Sequence, residues 1–184
     1  MNPNYHNKTK RNQLKQANKE LIKNYIEQNQ CNIFMTITVI EPNMEKKWKY
    51  NDWRISNNRL IRDLNLLFCW INSHLYGRRY KKHNKFLEGI GAIEYQANGQ
   101  PHIHLVIANE ITKQELDEAI ERRVQKLKIF SPKGIDVQEI EQSESSHTRL
   151  SQYLVKDTNK LPNHETPHLQ MSGNTVFLGI NGFY

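Results

Sequence analysis

Residues 94–107 read EYQANGQPHIHLVI. Two β-rich runs, FLEGIGAIEYQ and HIHLVIA, flank the turn-forming ANGQP, so the stretch predicts an antiparallel hairpin. Successive side chains of a strand point to opposite faces. Ile103, Leu105 and Ile107 therefore share one face of the second strand, while His102 and His104 share the other. The chain must build a sheet that covers the first face with an apolar core. It must also find a use for two imidazoles on the second.

The remaining elements follow from periodicity. CNIFMTITVI (Cys31–Ile40) is β-branched and aromatic and reads as a buried strand. Leu60, Ile61, Leu64, Leu67, Phe68, Ile71 and Leu75 recur at helical spacing, giving a helix from about Ser56, a plausible N-cap, to Tyr76. TKQELDEAIERRVQKL is an amphipathic helix that opens on a Thr112/Glu115 capping box. Leu116, Ala119, Ile120, Val124 and Leu127 form its inner face. GIDVQEIE is a strand, SSHTRLSQYLVKD a short helix and NTVFLGI a last strand. The order predicts an α+β fold: a central, mainly antiparallel sheet of about five strands with flanking helices. Residues 1–30 read as a basic helical arm with a thin apolar stripe of Leu14, Leu21, Ile22, Tyr25 and Ile26. Residues 31–184 form the main domain.

Charge narrows the class of partner. The 184 residues carry a net charge of +7, with a pI near 9.4 and a mean hydropathy of −0.80. Such a balance suits a polyanion such as nucleic acid. No apolar run reaches membrane-spanning length, and the N-terminus lacks the apolar centre of a signal peptide, which predicts a cytoplasmic protein without a membrane partner. Cys31 and Cys69 fall in apolar periodic segments and read as buried thiols of a reducing compartment. No P-loop motif occurs, so an ATPase is not indicated.

Two histidines alone would read as the polar face of a half-exposed strand. Glu94, on the preceding strand, shifts the balance. A carboxylate and two imidazoles make a three-ligand site with positions left for water and phosphate oxygens. Such a donor set suits Mn2+ or Mg2+: imidazole nitrogen favours Mn2+, and cellular availability favours Mg2+. The hairpin register decides whether the site forms. A two-residue turn at Asn98-Gly99 pairs Glu94 with Ile103 and turns it away from the histidines. An odd loop, with Gly99 left-handed in a bulge, brings Glu94 to their face. A second motif is a decoy. HETPH (His164–His168) has the zinc-protease spacing, but Pro167 disfavours helix at Thr166, and the motif needs a helix.

Three segments in order resemble the HUH endonucleases, and more specifically the Rep-type initiators of rolling-circle replication. IFMTITV resembles their first motif, EYQANGQPHIHLVI their second, and YLVKD (Tyr153–Asp157) their Y-x-x-K third. The resemblance implies an HUH/Rep nuclease fold over residues 31–184 and a Mn2+- or Mg2+-dependent nickase. It acts on single-stranded DNA at an origin or hairpin of a plasmid or virus, in the cytoplasm of a host and beside a host helicase. It implies Glu94, His102 and His104 as metal ligands, Tyr153 as the nucleophile that keeps the 5′ phosphate, and Lys156 as its catalytic partner.

A phenol is a poor nucleophile near neutral pH unless it is helped. Tyr153 and Lys156 lie three apart, and Arg149 lies one turn before Tyr153 on the same stripe. Without the histidines, Tyr153 would read as a packing residue beside Leu150 and Leu154. Asp157 stands where two-tyrosine members carry a second Tyr and single-strand transposases commonly carry Gln. A relaxase places its tyrosine near the N-terminus, where Tyr5 stands, but uses a third histidine in place of Glu94. KKWKYNDW and GRRYKKHNKF interleave cations with rings, as suits phosphates and unpaired bases. Their DNA-binding candidates are Lys46, Lys47, Trp48, Lys49, Tyr50, Arg78, Arg79, Lys81 and Lys82, together with Arg149. A solvated charged loop is the plain alternative. Beside the initiator stand two other functions: an HUH transposase or relaxase, and a non-catalytic nucleic-acid-binding regulator. The sequence leaves the oligomeric state open.

Overall fold

The computed structural model of the chain describes residues 3–39, 57–95, 101–108, 110–124, 126–127, 129–155, 175–179 and 182–183. Helix α1 (Pro3–Gln28) leads into β1 (Ile33–Val39). Then come α2 (Asn57–Leu75), the hairpin β2 (Gly89–Tyr95) and β3 (Pro101–Ile107), and α3 (Lys113–Val124). After them follow β4 (Phe130–Glu139), α4 (Glu144–Leu154), β5 (Thr175–Gly179) and β6 (Gly182–Phe183). The strands form one antiparallel sheet in the order β4-β1-β3-β2-β5-β6. The fold is therefore α+β with a central antiparallel sheet. β6 is a two-residue strand beyond the segments legible as strands in the sequence.

The period of two sorts the sheet into two faces. Ile33, Met35, Ile37 and Val39 of β1 meet Ile103, Leu105 and Ile107 of β3 in a core closed by α2 and α3. From α2 come Leu60, Leu64, Leu67, Phe68 and Ile71, the residues of the helical stripe. From α3 come Leu116, Ala119, Ile120 and Val124. The Thr112/Glu115 capping box forms as expected: Glu115 N–H donates to Thr112 Oγ1 at 3.2 Å, and Thr112 N–H donates to Glu115 Oε2 at 2.8 Å. Ser56 lies outside the described residues.

The opposite face carries a smaller core. Ile90, Ala92 and Val106 of the sheet meet Ile22 and Ile26 of α1 and Leu154 of α4. Ile22 and Ile26 are fully buried, whereas Leu21 is 41% exposed. The last turns of α1 are thus part of the packed fold. Lys23 ties α1 to α4 through Glu144 at 3.0 Å, and the ammonium holds that exposed carboxyl below the usual glutamate range. His147 Nδ1 lies 3.8 Å from Glu27. Ser143 caps α4 by accepting from Ser146 N–H.

Of the two thiols, Cys31 is buried, and burial pushes it up to about 12, which keeps it protonated and inert. Cys69 is only partly buried and accepts from the Tyr80 hydroxyl at 3.4 Å. None of the described helices is long and apolar enough to cross a membrane.

If α1 is integral, Ile26→Ala lowers the unfolding free energy by about 2–5 kcal/mol in urea titrations. Leu21→Ala changes it by no more than about 0.5 kcal/mol. Equal, small effects at both positions would mean that α1 does not dock.

Candidate metal and nucleophile site

The hairpin register settles which way Glu94 points. Glu94 pairs with His102, Ile93 with Ile103, and Tyr95 with Pro101. Directly paired residues share a face. Glu94 therefore stands with His102 and His104, as an odd loop requires. The loop itself, residues 96–100 with Gly99, lies outside the described residues.

The central position of β3 extends this face into two rows. One row runs Asp136, Thr36, His104, Ala92 across β4, β1, β3 and β2. The next runs Thr38, His102, Glu94. Gly91, one residue before Ala92, lets β2 approach β3 closely. A Cβ at Gly91 would collide with the carbonyl oxygen of His104.

His104 is the centre of the site and is 2% exposed. Its Nδ1 lies 3.1 Å from Thr36 Oγ1, and its Nε2 lies 3.3 Å from Glu94 Oε2. His102 stacks on it with ring centroids 4.6 Å apart. Phe34, one row away on β1, lies nearly parallel to it at 5.8 Å. Tyr153 meets the imidazole edge-on at 4.8 Å and Phe34 at 6.0 Å. Helix α4 thus lays its tyrosine across the face that carries the histidines, and the side chain stays 41% exposed. Ala92 opposite His104 is small, so β2 adds little bulk to this row.

An open cavity of about 630 Å3 lies beside these rings, toward β4. Arg149, Leu150 and Tyr153 of α4 form one wall. Phe34, Thr36 and His104 form the floor, with Asp136 and Gln138 at the β4 side. A space of this size takes a nucleotide-sized group.

Glu94, His102 and His104 suit Mn2+ or Mg2+ as a donor set: one carboxylate and two imidazoles on a single sheet face. Their present arrangement is closed on itself. Among the described residues no group of three or more His, Cys, Asp or Glu side chains is placed to hold a metal ion. Glu94 and His104 bond one another, so a cation could enter only where Glu94 releases Nε2.

The other sequence candidates divide. Arg149 lies one turn before Tyr153 and lines the same cavity. α4 ends at Leu154 with Val155 as its C-cap. Lys156 and Asp157 lie outside the described residues, as do Lys46, Lys47, Trp48, Lys49, Tyr50 and the HETPH segment. Tyr5 falls within α1. Arg78, Arg79, Lys81 and Lys82 are exposed on the turn after α2. The rings between them play another part. Tyr80 and Phe86 are 5% and 7% exposed and anchor the turn, so they present no face for base stacking. The Tyr80 hydroxyl reaches Cys69, and Asn72 Oδ1 accepts from Leu87 N–H at 2.8 Å.

Phe34, Thr36, Asp136 and Gln138 join the site without belonging to any candidate set drawn from the sequence. The one signal for the β1 pair is the polar and aromatic alternation in IFMTITV, which marks one face of that strand. Local sequence does not say that His104 is its neighbour. Comparison of the chain with protein-family models, with curated proteins and with solved structures returns no match.

Reversing the charge of Arg78, Arg79, Lys81 and Lys82 together tests the turn. If these side chains meet DNA, the log–log salt slope of single-strand binding flattens by about 0.7 for each phosphate that is no longer neutralised. An unchanged slope would assign them to a solvated face.

Proposed function

We propose that the chain is a metal-dependent nicking and joining enzyme for single-stranded DNA, with Tyr153 as nucleophile and an HUH/Rep-type nuclease fold. Its role on this reading is to initiate rolling-circle replication of a plasmid or virus. The observation that carries the reading is the contact of Tyr153 with His104, made by a helix remote in sequence from the hairpin. A packing tyrosine has no need to meet a buried histidine that is itself bonded to a glutamate.

Glu94, His102 and His104 would hold Mn2+ or Mg2+, which when bound polarises phosphoryl oxygens. The chain's own residues do the rest. Tyr153 Oη attacks the phosphorus of a phosphodiester. The P–O3′ bond breaks, O3′ takes up a proton as a free 3′-OH, and the phenolic proton passes to water. The product is a 5′ phosphate ester on Tyr153. Attack of a 3′-OH on that ester reverses the step and joins the strand. Arg149, exposed on the same wall, neutralises phosphate charge. Lys156 follows within the same motif and takes the same role. Phe34 and His104 meet the tyrosine ring by edge contacts, which limits its rotation beside the cavity.

Tyr153→Phe removes one oxygen from a partly exposed ring. It should bind single-stranded DNA and Mn2+ as the wild type does and lose at least about 10³-fold in nicking, with no covalent adduct on a denaturing gel. An adduct that persists would move the nucleophile elsewhere, with Tyr5 the next to substitute. A wild type that binds DNA but never nicks it with Mn2+ would leave the chain a nucleic-acid-binding regulator.

His102→Ala should keep the fold, because His102 belongs to neither apolar core. It should abolish the Mn2+ stimulation of cleavage. Stimulation that survives this substitution would contradict the ligand assignment.

A further inference from the structure

The first strand motif, IFMTITV, supplies Phe34 to the tyrosine ring, and two of its alternate side chains, Phe34 and Thr36, also hold His104. The geometry points to Thr36 as a positioning residue for the site: its hydroxyl serves His104 in either tautomer and so lets Nε2 exchange Glu94 for a cation. The inference rests on the reading of Glu94, His102 and His104 as a metal site.

His104 offers two ring nitrogens. Nε2 is 3.3 Å from Glu94 Oε2, and Nδ1 is 3.1 Å from Thr36 Oγ1. In a neutral imidazole one nitrogen donates and the other accepts. A carboxylate only accepts, so facing Glu94 a hydrogen sits on Nε2, and in the neutral ring Nδ1 takes the hydrogen of the Thr36 hydroxyl. To ligate a cation, Nε2 must present its lone pair. The ring hydrogen then sits on Nδ1 and must find an acceptor. Thr36 Oγ1 is such an acceptor without moving, because a hydroxyl both donates and accepts. An aspartate at position 36 would favour only the second state.

The surroundings make the hydroxyl necessary. Ring rotation is opposed on both sides, by Phe34 nearly parallel at 5.8 Å and by His102 stacked at 4.6 Å. The imidazole is 2% exposed, so water does not readily replace a missing partner at Nδ1. Register fixes Thr36 directly opposite His104 in the β1–β3 ladder, which makes the bond a property of the sheet. Partners behind a ligating histidine orient it and set its tautomer.

The test compares wild type, Thr36→Val and Thr36→Ser, each shown to be folded by its melting transition. Valine keeps the shape and removes the hydroxyl; serine keeps the hydroxyl. Mn2+ affinity is measured on the protein alone by calorimetry. Imidazole 15N shifts locate the His104 hydrogen without metal and with saturating Mg2+. The expected result is an affinity about 10–100-fold weaker in Thr36→Val and near that of wild type in Thr36→Ser. The wild-type hydrogen should move from Nε2 to Nδ1 when Mg2+ is added. Equal affinity in Thr36→Val and wild type overturns the inference, as does an equal loss in Thr36→Ser and Thr36→Val. A wild type that binds no Mn2+ overturns both the inference and the metal-site reading. If the wild type binds Mn2+ and the variants rank as expected, the inference holds. DNA that never becomes linked to that protein then counts against the nickase reading alone.

Discussion

Everything at the candidate site depends on how β3 is paired. The strand lies between β1 and β2, and its alternation sends Ile103, Leu105 and Ile107 into the main core while His102 and His104 face the other way. The apolar side makes the polar side dependable. A one-residue slip of β3 would take Ile103, Leu105 and Ile107 out of the main core and turn the two imidazoles into it. Burying an aliphatic side chain is worth about 1.5–3 kcal/mol, so the slip is opposed three times over. The core thus holds Glu94, Thr36 and Thr38 opposite the histidines.

The second face is shaped by what covers it. α1 and α4 dock there through Ile22, Ile26 and Leu154, leaving the ground between α4 and β4 open. Lys23 and Glu144 join the two helices at their surface. This arrangement lets α4 carry a half-exposed tyrosine over a buried histidine. The helix is held by its apolar residues and its cap, while the ring of Tyr153 borders the cavity. A polar site can then form beside a small core without breaking it.

The sequence makes some of this legible and hides the rest for physical reasons. Periodic elements with many apolar positions, such as α2 and α3, declare their inner faces, and the α3 cap follows from two residues three apart. The face shared by His102 and His104 is a matter of counting by two. The parity of the β2–β3 hairpin stays open in the sequence, because NG, the usual pair for a two-residue turn, also fits an odd loop with Gly99 left-handed in a bulge. The observed pairing of Glu94 with His102 decides it. The docking of α1 is hard to judge from the stripe because its neighbouring apolar residues part ways: Ile22 and Ile26 are fully buried, while Leu21 is exposed. Tyr80 resembles a stacking platform because it is flanked by cations, but side-chain direction in an irregular turn has no period to read. Thr36 and Phe34 acquire meaning only from the strand order, which local sequence does not specify.

The central claim is that a helix-borne tyrosine and a strand-borne histidine pair form one reactive centre. Peptide mapping of a covalent product tests it most directly. Wild-type protein is incubated with Mn2+ and single-stranded DNA of mixed sequence, digested with nuclease and protease, and the nucleotide-bearing peptide is sequenced by mass spectrometry. The account predicts one modified peptide, with a 5′-phosphonucleotide on Tyr153. A nucleotide on any other residue, or linked through its 3′ phosphate, would contradict it.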